Sequence, residues 1–270
     1  DLSVLDDMTP EARARAQIVL QFHRYWSAPD AESLERYRAV ARRLDVPLYL
    51  GESGENNLDW YTAMFPVCDR LNIGWSFWSY KKMNCQNSPV TFARPAGWDQ
   101  LMEQIHGCLT LSKEQAQEIF DAFLDCIRHP IYNHAVMCAL TRTPPVVLPC
   151  EAFDESRITS PRIAGAVLRM QEQANLLFRD GHHGEPDYRR LKGESQPESE
   201  TIVVRLKQGD AIGFYVNMNS APTSGRLVAY GDGILELSCN GDVLTTTRTQ
   251  KDAIAFQINQ TGKVQLRIFC

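Results

Sequence analysis

The sequence lacks a basic excess, a membrane-length apolar run and a paired-cysteine motif. With 28 Lys and Arg against 33 Asp and Glu, the net charge is −5, so no cationic stripe is available to neutralise nucleic-acid phosphates. No apolar run approaches the length of a transmembrane helix, and no charged-then-apolar signal segment opens the chain. We therefore expect neither a nucleic-acid partner nor a membrane partner.

Metal-binding patterns are also scarce. The eight cysteines form no CxxC pair and show no zinc-ligand spacing, which favours buried or free thiols, although an even number leaves disulfides open. His182 and His183, with Glu185 and Asp187, are compatible with a metal site. A polar glycine-rich loop explains them at least as well, because adjacent histidines rarely share one tetrahedral site. We expect no metal and no cofactor.

Tryptophan is absent after residue 98, and this asymmetry divides the chain. All five tryptophans precede residue 100, whereas the last seventy residues form short, turn-punctuated apolar runs. We therefore predict an α/β domain over residues 1–110, a helical linker over 111–145 and a β-sandwich over 146–270. A length of 270 residues fits this division.

The first half alternates strand and helix patterns, which predicts βαβ units and a parallel sheet. Ser112 and Gln115 match a capping box at the start of a further amphipathic helix, Ser112–Ile127. The predicted strands are Ala16–Trp26, Pro47–Leu50 and Ile73–Tyr80, and the predicted helices are Pro29–Leu44, Asn56–Leu71 and Pro95–Ile105.

From about Thr201 the apolar period changes to two. Seven short segments read as strands, TIVVRLK, AIGFYVNM, GRLVAY, ILELSC, VLTTTRT, AIAFQIN and KVQLRIF. Asn240-Gly241 between two of them predicts a type I′ hairpin. Seven strands with regular turns favour a β-sandwich. Pro161–Asp180 fits either a helix or two strands.

Three predicted strands end in residues suited to catalysis or substrate binding. The first ends in His23-Arg24-Tyr25-Trp26, the second in Glu52, and the third in Trp78 followed by Lys81. Parallel strands carry such residues to one rim, where carboxyl groups can cleave a glycosidic bond and aromatic rings can stack on sugars. Structural roles compete with this interpretation. A strand-end acid can cap the next helix, as Glu55 or Asn56 can, and histidines and tryptophans are more often structural.

At these positions the sequence resembles glycoside hydrolase family 5, the cellulase-like family, from the sixth strand of its barrel onward. His23 and Tyr25 match the His-x-Tyr pattern of the sixth strand. Gly51-Glu52-Ser53-Gly54 matches the nucleophile segment of the seventh strand, and GWSFWSYKK with Trp78 matches the eighth. The resemblance spans Ala16 to Trp98.

The resemblance implies a retaining β-glycosidase acting on β-glucan, mannan or a related glycoside. Glu52 would be the nucleophile, Tyr25 would orient it, and His23 would line the −1 subsite over a floor formed by Trp78. Trp26 and Lys81 would reach substrate, with packing and solvated roles about equally expected for them. Trp75 is expected in the core.

The sequence departs from the family in lacking the acid/base glutamate. In the family it follows asparagine at the end of the fourth strand, and Asn-Glu occurs nowhere here. A (β/α)8 TIM barrel takes about 250 residues, and about three strands fit before residue 110. We therefore expect the C-terminal part of a longer enzyme, inactive and unstable alone. A genuine start at Asp1 would instead favour a non-catalytic barrel remnant binding a glycan or a partner.

The second half resembles the jelly-roll sandwiches of family 6-like carbohydrate-binding modules. The resemblance rests on LPCEAFD (residues 148–154), VVRLKQGDAIGFYVN and LELSCNGDVL. Because this half has no tryptophan, a structural sandwich is favoured over a sugar binder. Localisation stays open, since relatives are often secreted whereas scattered cysteines favour the cytoplasm.

Overall fold

The computed structural model describes residues 5–249 and 253–270, so the first four residues of the predicted first domain lie outside the described part. Helices lie in its first half. They are α1 (Pro10–Arg15), α2 (Ala31–Leu44), α3 (Leu58–Arg70), α4 (Trp98–Ile105), α5 (Lys113–Arg128) and α6 (His134–Thr141). Within the described ranges, no helix combines the length and apolar character needed to cross a membrane.

Strands run through the whole described chain and dominate its second half. They are β1 (Leu20–His23), β2 (Leu48–Glu52), β3 (Gly74–Trp75), β4 (Lys81–Met83), β5 (Val90–Phe92), β6 (Ile131–Tyr132), β7 (Glu155–Arg157), β8 (Leu176–Phe178), β9 (Ile202–Val204), β10 (Ala211–Met218), β11 (Thr223–Leu227), β12 (Ile234–Cys239), β13 (Asp242–Arg248), β14 (Ile254–Ile258) and β15 (Gly262–Phe269). Short 3-10 helices occupy Cys150–Ala152 and Glu198–Glu200.

The strands β1, β2 and β3 form a parallel sheet in that order, joined by helices α2 and α3. The predicted alternation of strand and helix is therefore confirmed for this segment. A register shift between Phe22 and His23 places His23 opposite Glu52, the last residue of β2. In the described residues the sheet has three strands and is not closed. Its membership of a TIM barrel stays a prediction.

The predicted length was wrong for two of the strands. The strand predicted over Ala16–Trp26 covers only Leu20–His23, because Gln17 adopts a left-handed conformation (φ 51°) just after α1. The strand predicted over Ile73–Tyr80 covers only Gly74–Trp75, and an isolated bridge at Trp78 continues it. Apolar residues thus run beyond the part of each segment that finds a partner strand.

Helix α3 begins immediately after the loop that carries Glu52. The side chain of Asn57 caps it by accepting a hydrogen bond from the Trp60 amide at 2.9 Å. Glu55 and Asn56, the alternative caps that the sequence offers, do not fill this role. Trp60, Tyr61 and Phe65 are almost fully buried, so the helix packs into the core over most of its circumference.

Helix α5 confirms its sequence signal. Ser112 accepts from the Gln115 amide at 3.2 Å, and the Gln115 side chain accepts from the Ser112 amide at 2.9 Å, which completes the predicted capping box.

The second half forms antiparallel sheets. The largest has the order β13-β12-β15-β10-β7, and β11–β14 and β8–β9 form separate pairs. All seven predicted strands are confirmed within a few residues. Asn240 and Gly241 join β12 to β13 with φ of 49° and 94°, which fits the predicted type I′ turn. The jelly-roll assignment stays a prediction.

Pro161–Asp180 forms neither a helix nor two strands. It contains the three-residue strand β8 and otherwise irregular backbone. Arg162 explains why, because its guanidinium donates to the carbonyls of Ala166, Leu168, Arg169 and Glu172. The loop therefore folds around one cation, which an apolar periodicity does not reveal.

A buried ion pair joins the two halves of the chain. Arg142, left-handed at the end of α6, donates to the Thr62 carbonyl of α3 at 2.8 Å and to the Ala152 carbonyl at 2.7 Å. Its remaining nitrogen binds Asp154, whose carboxylate also accepts from the Tyr215 amide of β10 at 2.7 Å. Both charged side chains are only 3 % exposed. This pair therefore ties α3, α6 and β10 together.

We predict that Asp154→Asn lowers the free energy of unfolding by about 3–5 kcal/mol, because it leaves the Arg142 charge buried without its counter-ion. Urea unfolding followed by tryptophan fluorescence measures the loss. The matched control is Asp99→Asn, which breaks an exposed pair with Arg94 and should cost about 0–1 kcal/mol. Equal losses in the two variants would contradict the structural role given to Asp154.

We also predict a pH dependence of stability set by Glu151. Burial raises the pKa of this carboxyl to about 7, and the nearby charge of Asp59 acts in the same direction. Because the unfolded value is about 4.3, the folded state binds the proton more tightly, and stability falls as pH rises from about 4.5 to 7. Glu151→Gln should flatten this decline in urea-unfolding measurements, whereas the exposed Glu198→Gln should not. A slope unchanged in Glu151→Gln would refute the assignment.

Candidate active site

The carboxyl ends of β1 and β2 bring three predicted catalytic side chains together. The Tyr25 hydroxyl donates to Oε2 of Glu52 at 2.8 Å. Nδ1 of His23 lies 3.4 Å from the same oxygen. Both contacts fall on Oε2, so the other carboxylate oxygen stays available, and 32 % of the Glu52 side chain is exposed to solvent.

The parallel pairing of β1 and β2 explains this juxtaposition. His23 faces Glu52 in the register, and the Arg24 amide donates to the Glu52 carbonyl at 3.1 Å, one residue beyond the assigned strand. Because side chains alternate along extended backbone, His23 and Tyr25 leave the chain on the same side. The pattern His-x-Tyr therefore places two polar groups beside one carboxylate.

Trp78 reaches the same rim through a backbone contact. Its amide donates to the Ser53 carbonyl at 2.8 Å, and Trp78 forms an isolated parallel bridge with Gly54. Gly54 has φ of 151°, and a Cβ there would stand 2.1 Å from the Trp78 carbonyl oxygen. Only glycine allows this approach. Trp78 is 48 % exposed, which suits a stacking surface.

A second part of the rim surrounds Trp26, which is 42 % exposed. Its indole N–H donates to the Glu55 carbonyl at 3.1 Å, and the Glu55 carboxylate binds Lys82 at 2.7 Å. This hydrogen bond raises the pKa of the Lys82 ammonium. The guanidinium of Arg189, from the second half of the chain, lies 5.7 Å from the centre of the Trp26 ring. Sequence reasoning missed Lys82 and Arg189.

Two other predicted residues lie elsewhere. Lys81 is not brought to Glu52, because its ammonium donates to the Ile127 carbonyl in the last turn of α5. Trp75 packs against Phe65, with ring centres 4.5 Å apart, and its indole donates to Asp69. Trp75 is therefore partly buried against the core, as expected from its strand face.

Tyr25 is held in its protonated form. Burial raises the pKa of its phenol well above the ordinary value, and the hydrogen bond to Glu52 and the charge of that carboxylate add to the shift. At neutral pH the phenol therefore remains a donor to Oε2.

Asparagines anchor the loop after Glu52 to the second half of the chain. The side-chain carboxamide of Asn56 donates to the Tyr188 carbonyl at 2.8 Å, and that of Asn57 donates to the Glu194 carbonyl at 3.2 Å. The side chain of Asn87 supports this loop from within the first half by donating to the Asn56 carbonyl at 3.0 Å. The sequence signals only a helix cap here, because the carbonyls of the second half lie more than 130 residues away along the chain.

The residues proposed as a metal-site alternative are used differently. His182 stacks on Phe178 with ring centres 3.8 Å apart, and its Nδ1 contacts Asp180 at 2.6 Å. Within residues 5–249 and 253–270, no three His, Cys, Asp or Glu side chains are grouped as a metal site requires.

Comparison with known proteins identifies no family for the chain. No model of a protein family matches it, and the curated proteins contain no match either. The resemblance of the strand-end motifs to glycoside hydrolase family 5 therefore stays a prediction.

We predict that Glu52→Gln lowers the pKa of Tyr25 while leaving it above the ordinary tyrosine value. The amide keeps an acceptor oxygen but removes the negative charge that opposes ionisation, whereas burial, the largest cause of the shift, persists. Carbon-13 NMR titration of ring-labelled tyrosine, assigned with Tyr25→Phe, measures the change. Glu198→Gln serves as the control. An unchanged Tyr25 titration in Glu52→Gln would contradict the charge coupling.

Proposed function

We propose that Glu52 is the nucleophile of a retaining β-glycosidase acting on β-glucan, mannan or a related glycoside. The observation that carries the proposal is the contact set on one carboxylate oxygen. Oε2 of Glu52 receives the Tyr25 hydroxyl at 2.8 Å and faces Nδ1 of His23 at 3.4 Å. A helix-capping acid has no need for such partners, and Asn57 already caps α3.

The chemistry follows from this orientation. Oε1 of Glu52 attacks the anomeric carbon while the bond from that carbon to the leaving oxygen breaks, which gives a glycosyl ester on the enzyme. Tyr25 stays on Oε2 and fixes the rotation of the carboxylate during attack. Water then cleaves the ester and restores the carboxylate, so the anomeric configuration is retained.

The leaving oxygen needs a proton, and the attacking water must lose one. Retaining enzymes use one second carboxyl about 5 Å from the nucleophile for both transfers. Glu55, the other carboxylate of this loop, is bound to Lys82. We propose that the acid/base glutamate comes from residues outside this sequence, as the resemblance implies, and that the chain alone does not turn over.

Exposed aromatic rings support a sugar as the substrate. Trp78 and Trp26 both present large exposed surfaces at the rim that holds Glu52. Sugar rings carry C–H faces that pack on indoles, while their hydroxyl groups hydrogen-bond at the ring edge. Trp78 would form the floor beside the nucleophile, and Trp26 would contact a more distant sugar.

The test is covalent trapping in the polypeptide encoded by the complete reading frame. A 2-deoxy-2-fluoro-β-glycoside with a dinitrophenolate leaving group needs no general acid for the first step, and its fluorine slows the second. We predict a stable glycosyl adduct on Glu52 with the gluco or manno compound, located by peptide mass spectrometry. Glu52→Gln should lower kcat by about 10³-fold or more.

Glu55→Gln is the matched control, because it removes a carboxylate from the same loop without removing the proposed nucleophile. It should still be labelled at Glu52. Labelling of a different carboxyl, or turnover retained in Glu52→Gln, would refute the assignment. Absence of any adduct would favour the non-catalytic barrel remnant.

A further inference from the structure

Gln21 is placed to act on the candidate nucleophile through His23. Its carboxamide nitrogen lies 3.0 Å from Nε2 of His23, and the other ring nitrogen, Nδ1, lies 3.4 Å from Oε2 of Glu52. Three side chains thus form a line from β1 to the end of β2. Nothing in the resemblance assigns a role to Gln21.

The hydrogen-bonding chemistry of these three side chains determines which ring nitrogen of His23 carries the proton. A carboxamide nitrogen carries two hydrogens and can only donate, so Nε2 of His23 must present its lone pair to Gln21. In neutral imidazole the single ring proton then sits on Nδ1, facing the Glu52 carboxylate. The opposite tautomer would set an N–H against the amide hydrogens and a lone pair against the carboxylate.

The geometry points to Gln21 as a positioning residue that holds His23 in the Nδ1–H tautomer, so that the imidazole N–H faces Oε2 of Glu52. Its catalytic value rests on the proposed function, because a partially positive N–H group 3.4 Å from Oε2 leaves Oε1 free to attack. The tautomer itself does not depend on that function.

Gly51 supplies the space for this contact. A Cβ on Gly51 would stand 2.3 Å from both the carboxamide carbon and the carboxamide nitrogen of Gln21. The obstacle is the end of a flexible side chain, so Gly51→Ala should displace Gln21 without a large loss of stability. This variant therefore breaks the link to His23 without substituting Gln21 or His23.

The experiment is long-range ¹⁵N–¹H NMR on the chain labelled in histidine, at a pH where His23 is neutral. Protonated and unprotonated ring nitrogens resonate far apart, and His23→Asn assigns the signals among the six histidines. We expect Nδ1–H in the wild type. Gln21→Leu, Gln21→Glu and Gly51→Ala should each raise the fraction of the Nε2–H form. The exposed Gln117→Leu, on α5, should leave it unchanged.

Unfolding midpoints close to that of the wild type identify the variants that keep the fold. A wild-type Nε2–H tautomer, or a tautomer ratio unchanged in Gln21→Leu or in Gly51→Ala, would overturn the inference. The outcome is separable from that of the trapping experiment. The expected tautomer without an adduct on Glu52 would refute only the proposed function, and an adduct with the Nε2–H tautomer would refute only the role of Gln21.

Discussion

The buried ion pair between Arg142 and Asp154 is the constraint on which the arrangement of the two halves depends. Charges withdrawn from water persist only when their partners and hydrogen bonds are complete, and Arg142 meets this condition by binding α3, the 150–152 turn and Asp154 together. Arg70 adds a second cation to Asp154 at 2.6 Å. Helix α3 is therefore fixed against β10, and α3 begins directly after the loop of Glu52.

A second set of polar contacts connects the candidate site to the second half of the chain. Asn56 and Asn57 bind backbone carbonyls of the segment around Tyr188, and Arg189 from that segment lies over Trp26. Buried amides of this kind are costly unless fully bonded, so the two segments must fold together. The second half of the chain therefore forms part of the rim beside Trp26.

Most elements of the fold could be predicted from local sequence patterns. The seven late strands and the α5 capping box follow from neighbours along the chain, and their positions could be predicted. Features that depend on contacts with other segments of the chain could not be predicted. Pro161–Asp180 folds around Arg162, and the first strand stops where pairing stops. Lys81 and Lys82 show most clearly what a sequence pattern does not reveal. Successive residues of a strand point to opposite sides, so one step decides which ammonium reaches the rim, through Glu55, and which meets α5.

The juxtaposition of Glu52, His23 and Tyr25 was predictable because parallel strands end at one edge. Gln21 shares their side of β1 by the same period of two, yet its role depends on the register shift before His23 and on the missing Cβ of Gly51. Gly51 itself has no left-handed backbone to accommodate, unlike Gly54. The glycine before the candidate nucleophile thus serves the neighbouring strand, because it lets the Gln21 carboxamide pass over it and reach the His23 imidazole. Gly51 therefore meets a requirement of both strands, because it belongs to β2 and leaves room for the Gln21 side chain of β1.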